Sequence, residues 1–156
     1  MSIHEQSPFV HFDDRAKRVV DLARQRASVL RSDVIGPEHV LLALLAVPNG
    51  RAARAIATLV GSRARAEGAI TEALTPGDKP SPTHMRFTAT VEEAMTQAAR
   101  QAQQLANDRI GTEHLLLGLL MLSDSPAVRR LTALGMDYTS ARAEIARFRT
   151  DDTGEV

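Results

Sequence analysis

The chain has 156 residues, 44% of them hydrophobic and 24% charged, and its 19 basic residues balance 19 acidic ones. This composition is typical of one globular unit, and the lack of net charge argues against nucleic acid or an anionic membrane as a partner. No apolar run reaches the ~18 residues that a membrane helix needs, and the opening MSIHEQSPFV lacks the features of a secretory signal. The chain contains no cysteine, which excludes disulfides and favours a cytoplasmic location.

One stretch of the sequence occurs twice. IGPEHVLLALLAV at residues 35–47 returns as IGTEHLLLGLLML at residues 110–122, 75 positions later. At that offset residues 12–74 align with residues 87–149 without a gap, with 18 identities in 63 positions. The sequence therefore predicts two copies of one structural unit.

Each copy begins with apolar residues at helical spacing, which predicts a long amphipathic helix. These positions are Ala16, Val19, Val20, Ala23, Ala27 and Leu30 in the first copy, and Val91, Ala94, Met95, Ala98, Ala102 and Leu105 in the second. The repeated motif follows as a helix that is apolar nearly all round, as expected of a buried helix. Asn49-Gly50 and Ser125-Pro126 precede short third helices, and Ser62 and Asp137 are the predicted N-caps of the fourth helices.

The predicted fold class is all-α: an eight-helix pseudo-twofold bundle made of two four-helix repeats. No segment has the alternation of a β-strand. One repeat alone would bury too little surface, so the two repeats are expected to share a core. The expected organisation is an N-terminal tail (1–11), the first repeat (12–74), a proline-rich linker (75–86), the second repeat (87–149) and a C-terminal tail (150–156).

The charged residues of the motif fit the start of a helix. Glu38 and Glu113 face the positive end of the helix dipole, Pro37 suits a first turn, and Thr112 is a candidate cap. The motif histidines are interpreted as hydrogen-bonded core residues, because neither copy has a second ligand at metal spacing. No metal and no cofactor are expected.

The sequence also argues against catalysis. It contains no G-x-x-x-x-G-K-[ST] phosphate loop, no G-x-S-x-G nucleophile turn and no cysteine nucleophile. Its acidic residues are scattered over polar helix faces. The chain is therefore not expected to be an enzyme.

The two copies, each an opening Phe followed by IGPEH or IGTEH and a Leu-rich helix, resemble the N-terminal (Clp R) domain of ClpC- and ClpB-type AAA+ unfoldases. The resemblance covers residues 12–149. It implies a pseudo-symmetric helical bundle that receives substrates and adaptors, and in the ClpC branch binds phosphorylated arginine. The ATPase modules of that family are missing from this sequence. The resemblance therefore implies a stand-alone adaptor or accessory factor whose partners are Clp ATPase or protease subunits and client proteins or peptides.

The resemblance also implies two unequal phosphoarginine sites. In the family, the Thr after the opening Phe and the Glu of IGTEH serve such a site. The second copy retains them as Thr88 and Glu113, with Thr112 beside them, so this site is expected to be the competent one. The first copy has Glu38 but carries Asp13 at the Thr position, and Asp13 is alternatively the N-cap of the first helix.

A peptide- and antibiotic-binding surface is the other implied site. In actinobacterial relatives this surface binds cyclic peptide antibiotics, and here it corresponds to Phe9, Lys17 and Phe87. Glu92 stands where those relatives carry Lys. The alternative for Phe12 and Phe87 is a core position flanking a helix start. The alternative function is a decoy that sequesters Clp-targeting antibiotics or phosphoarginine-marked proteins.

The purified chain is expected to hydrolyse neither ATP nor protein, because the sequence encodes no phosphate loop and no nucleophile constellation. A coupled phosphate-release assay and a casein digestion assay measure the two activities. ATP turnover that disappears when residues of this chain are substituted would contradict the expectation.

Overall fold

A computed structural model describes residues 9–122 and 124–154 of the protein, with residues 149–154 described by their backbone alone. This part of the chain forms eight helices and two very short strands. They are α1 (Asp14–Val29), β1 (Val34–Ile35), α2 (Pro37–Leu45), α3 (Arg51–Val60), α4 (Arg63–Glu72), β2 (Arg86–Phe87), α5 (Ala89–Gln104), α6 (Thr112–Leu120), α7 (Pro126–Ala133) and α8 (Tyr138–Gly154). The predicted all-α class with four helices per repeat is confirmed.

The two repeats match in detail at the offset of 75 residues. Helices α1 and α5 begin and end at equivalent residues, and so do α2 and α6. Each long helix is followed by a residue with positive φ, Arg31 at 55° and Ala106 at 57°. Helix α8 continues to Gly154, past residue 149 where the second repeat was expected to end, and most of the expected N-terminal tail lies outside the described residues.

Side-chain caps fix the starts of several helices. The carboxylate of Asp13 accepts from the Ala16 N–H of α1 at 2.8 Å, which confirms the alternative that Asp13 is an N-cap. Thr88 caps α5 through the Val91 N–H at 3.2 Å. The predicted caps Ser62 and Asp137 are confirmed, with hydrogen bonds of 3.2 and 2.7 Å to backbone N–H groups three residues on.

The opening segment of each repeat pairs with the motif of the other repeat. Strands β1 and β2 are parallel, with Ile35 opposite Phe87, and Phe12 forms the equivalent bridge with Ile110. These short pairings are not visible in the sequence as strand alternation. A two-residue strand is too short to produce a visible alternation of polar and apolar side chains.

Helices α2 and α6 form the centre of the core, as predicted for the repeated motif. Leu41, Leu44, Leu116 and Leu117 have no exposed surface, and the long helices pack along the motif helices of their own repeats. At the end of α6 the burial stops, since Met121, the next residue, is 45% exposed, whereas Val47 after α2 is 5% exposed.

Gly118 allows a close approach between α5 and α6. A Cβ at this position would overlap the carbonyl oxygen of Ala94 and would lie 3.1 Å from the Ala98 nitrogen. The two helices run antiparallel, because Thr90 at the start of α5 lines a cavity with Met121 and Leu122, which directly follow the end of α6. The inference from sequence that Gly118 allows close packing is confirmed.

Gly118→Ala is expected to lower the free energy of unfolding by about 1–3 kcal/mol, because the added methyl group must push α5 away from α6. Gly68→Ala is the matched control, since Gly68 is an exposed residue inside α4 with no atom near its missing Cβ. That change should raise the stability by up to ~1 kcal/mol through helix propensity. Urea unfolding of both variants measures the difference, and equal effects would contradict the close packing.

Candidate functional site

Both motif helices begin with the same local structure. The N–H of Gly36 donates to Nδ1 of His39 at 2.9 Å, and the N–H of Gly111 donates to Nδ1 of His114 at 2.8 Å. The carboxylate of the intervening glutamate folds back over the glycine, so that a Cβ on either glycine would meet it. A side chain at either glycine would displace this carboxylate, although the φ of −99° or −102° is open to any residue.

The motif histidines are structural. His39 is 3% exposed, and burial lowers its pKa, an effect that the nearby Glu38 carboxylate partly offsets. The hydrogen bond from Gly36 requires an unprotonated Nδ1, which is the neutral tautomer that carries its proton on Nε2. Within the described residues no three His, Asp or Glu side chains are grouped as metal ligands would be.

Thr88 and Glu113, predicted to share one site, lie at opposite ends of a helical hairpin. Thr88 caps the start of α5, whose 16 residues make a helix about 24 Å long. Glu113 lies at the start of α6, which the short loop places beside the end of α5. The Thr88 N–H instead donates to the Ile35 carbonyl at 3.0 Å, next to the first motif.

The sites are therefore shared between the repeats, and the predicted grouping is corrected. Asp13 of the first repeat lies with the second motif, where its N–H donates to the Ile110 carbonyl at 2.9 Å. Its carboxylate lines a cavity with Thr112 and Glu113. By the same pairing, the start of α5 lies beside Glu38, and Thr90 lines a cavity with it.

The Glu113 pocket, as we name the first cavity, has a volume of about 340 Å³ and carries charges of both signs. Its ionic lining consists of Asp13, Arg15, Arg51, Asp108, Arg109 and Glu113. Glu113 is 7% exposed, and its Oε2 lies 3.0 Å from Nη1 of Arg51, the first residue of α3. A carboxylate at this position therefore already binds a guanidinium group from its own chain.

Thr112 was a candidate cap for its own helix, α6, but it does not cap that helix. Its hydroxyl accepts from the N–H of Ala52 at 3.2 Å and so caps α3 of the other repeat. Gly50, the residue before α3, leaves room for this hydroxyl, because a Cβ there would lie 2.8 Å from it. Thr112 therefore joins the repeats, and its hydroxyl is already engaged.

The Glu38 pocket, the equivalent cavity, also has a volume of about 340 Å³ but a different lining. Pro126 occupies the position equivalent to Arg51. The walls are mainly apolar, with two carboxylates, and the described lining residues include no basic side chain. They are Pro37, Glu38, Thr90, Met121, Leu122, Asp124, Ser125 and Pro126.

The structure brings the predicted aromatic residues together. The ring of Phe9 makes edge contacts with Phe12 and Phe87, with ring centres 5.3 and 5.9 Å apart. Phe12 is 2% exposed and belongs to the core, as its alternative interpretation held, whereas Phe9 and Phe87 are half-buried. Lys17 and Glu92 are exposed on α1 and α5.

Sequence reasoning missed the residues that make the two pockets different. Arg51 and Pro126 stand at equivalent positions, and aligning the copies residue by residue exposes this difference at the start of the third helix. Arg15 and Arg109 drew no attention because surface arginines are common in this chain. Across the described residues, the helices are too short or too polar to cross a membrane.

The Clp repeat (R) N-terminal domain family model matches residues 11–85 and 86–153. The ClpA homolog of Guillardia theta, described as an ATP-dependent Clp protease ATP-binding subunit, is 30% identical over 148 residues, 95% of this chain and 18% of its own length. The Bacillus subtilis negative regulator of genetic competence ClpC/MecB is 30% identical over 140 residues, 90% of this chain and 17% of its own length. This chain thus spans less than a fifth of either relative.

Solved structures agree on the fold. The N-domain of ClpV from Vibrio cholerae has a TM-score of 0.78 at 17% identity, covering 97% of this chain and 92% of that one. A complex of a ClpV N-domain with a VipB peptide has a TM-score of 0.68 at 18% identity, covering 86% and 82%. The repeated motif, the helical bundle and the family match agree, and the chain belongs to the Clp repeat (R) N-terminal domain family.

Proposed function

We propose that this chain is a non-catalytic peptide-binding module that works with Clp ATPase or protease subunits as an adaptor or accessory factor. The family is one of binding domains, and a ClpV N-domain of the same fold has been solved with a VipB peptide. The observation that carries the proposal is the Glu113 pocket, an open, charged cavity built from both repeats. The proposed place of action is the cytoplasm.

The Glu113 pocket is the better candidate for a phosphoarginine side chain. Such a ligand carries a phosphate and a guanidinium group, and this pocket offers arginines for the first and Glu113 for the second. Arg51 is 28% exposed at its side chain, so it can turn from Glu113 to the phosphate. Each member of the existing ion pair then gains a new partner, and no buried charge is left alone.

The Glu38 pocket is a poorer candidate for phosphoarginine. Two carboxylates, Glu38 and Asp124, line it, and the described lining residues supply no cation for a phosphate. Like charges in a partly buried pocket repel. The expected inequality of the two sites is therefore retained, with Asp13, Arg15, Arg51 and Arg109 in place of Thr88.

A second candidate function is the binding of an apolar or cyclic peptide at the aromatic surface. Phe9 and Phe87 are half-buried and in edge contact, and Val10 beside them is 41% exposed. Aromatic side chains supply large contact areas with little loss of conformational entropy. This surface is where a cyclic peptide antibiotic would bind if the chain acts as a decoy.

Glu113→Ala is expected to weaken phosphoarginine binding by roughly 10- to 150-fold, which is the effect of losing a hydrogen bond to a charged group. Glu38→Ala should change the affinity little. Calorimetric titration of free phosphoarginine into both variants measures this, and Glu113→Gln keeps the side-chain volume. Equal losses in the two variants would contradict the assignment of the ligand to the Glu113 pocket.

The wider proposal has a separate test. Immobilised protein should retain Clp ATPase or protease subunits from a lysate of its native organism, and a variant with both Phe9 and Phe87 changed to Ser reports on the aromatic surface. Retention of Clp subunits without phosphoarginine binding would remove the ligand and keep the adaptor function. Tight antibiotic binding without any Clp contact would favour the decoy.

A further inference from the structure

The ion pair in the Glu113 pocket shows what kind of group a motif glutamate binds. Nη1 of Arg51 lies 3.0 Å from Oε2 of Glu113. Glu113 is in the first turn of α6, so its carboxylate also faces the positive end of that helix dipole. The guanidinium group bound by Glu113 therefore belongs to the same chain. The Glu113 pocket is thus an internal example of an arginine side chain bound by the motif.

Glu38 has the same local geometry at its helix start as Glu113, but its pocket lacks this arginine. Its carboxylate folds over Gly36 as that of Glu113 folds over Gly111, and the Gly–His hydrogen bond is the same to within 0.1 Å, at 2.9 and 2.8 Å. The position of Arg51 is taken by Pro126, which has no charge to offer. The described residues that line this pocket contain two acids and no base.

The walls of the Glu38 pocket suit the rest of an arginine side chain. Pro37, Met121, Leu122 and Pro126 give it an apolar lining along which the three methylene groups can lie. Met121 is 45% exposed, so its side chain is accessible to a ligand in this pocket. Asp124 at the same cavity supplies a second acceptor for the five donors of a guanidinium group.

We infer that the Glu38 pocket binds an unmodified arginine side chain presented by a partner protein. This inference rests on the proposed peptide-binding function and gives the two pockets different ligands. The Glu38 pocket selects arginine over phosphoarginine, because a phosphate would meet two carboxylates there. It selects arginine over lysine, because a planar guanidinium can bond a carboxylate at two points while an ammonium group cannot.

The test uses short acetylated, amidated peptides that contain one arginine, with otherwise identical lysine, citrulline and phosphoarginine peptides as competitors. Calorimetry is expected to give one arginine site per chain. Glu38→Gln should weaken that site roughly 10- to 150-fold, as expected for a lost hydrogen bond between charged groups. Glu113→Gln, the matched control, should leave it unchanged.

Two exchanges at the third helices test the internal example directly. Pro126→Arg is expected to fill the Glu38 pocket from within and abolish arginine binding, while Pro126→Ala, which adds no charge, retains it. Arg51→Pro should empty the Glu113 pocket and raise the stoichiometry from one to two. Proline is accepted at the first position of a helix, and circular dichroism checks that each variant is folded.

Three results would overturn the inference. They are equal losses from Glu38→Gln and Glu113→Gln, unchanged binding by Pro126→Arg, and tighter binding of the phosphoarginine peptide than of the arginine peptide at the Glu38 pocket. A protein that retains Clp subunits but binds no arginine peptide would also overturn it, while leaving the proposed function intact. Failure of both assays would instead reject the proposed function.

Discussion

Two backbone contacts between the repeats fix where both pockets form. The Asp13 N–H donates to the Ile110 carbonyl, and the Thr88 N–H donates to the Ile35 carbonyl, at 2.9 and 3.0 Å. Each contact ties the start of one repeat's long helix to the start of the other repeat's motif helix. Both pockets are consequently assembled from two repeats, and neither would exist in one repeat alone.

A few residue differences between the repeats make one pocket charged with both signs and the other mainly apolar with two carboxylates. At one junction Thr112 supplies the hydroxyl that caps α3, and Gly50 leaves space for it. At the other, Ser125 caps α7 itself, with a hydrogen bond of 3.4 Å, and lines the cavity with Pro37. Each third helix thus has one hydroxyl cap, which comes from the other repeat for α3 and from the residue directly before the helix for α7. The residue that follows, Arg51 or Pro126, then decides whether the motif glutamate has a partner from its own chain.

Local features of the fold followed from the sequence, and pairings between distant segments did not. Helical spacing and capping chemistry act over three or four residues, so the helices and the caps Ser62 and Asp137 were predictable. Which repeat Thr88 faces depends on contacts across the whole domain. Part of the error was nonetheless avoidable. A hairpin of two helices places their starts at opposite ends, which already separates Thr88 from Glu113.

The reciprocal pairing has the geometry of a twofold homodimer interface, in which each subunit offers the same two surfaces to the other. The linker between the repeats turns such an association into an intramolecular one, at an effective concentration in the millimolar range for short linkers. In a homodimer, any substitution would appear in both pockets at once. Joining the copies in one chain removes that constraint, so one pocket can bind its own arginine while the other remains open to a partner.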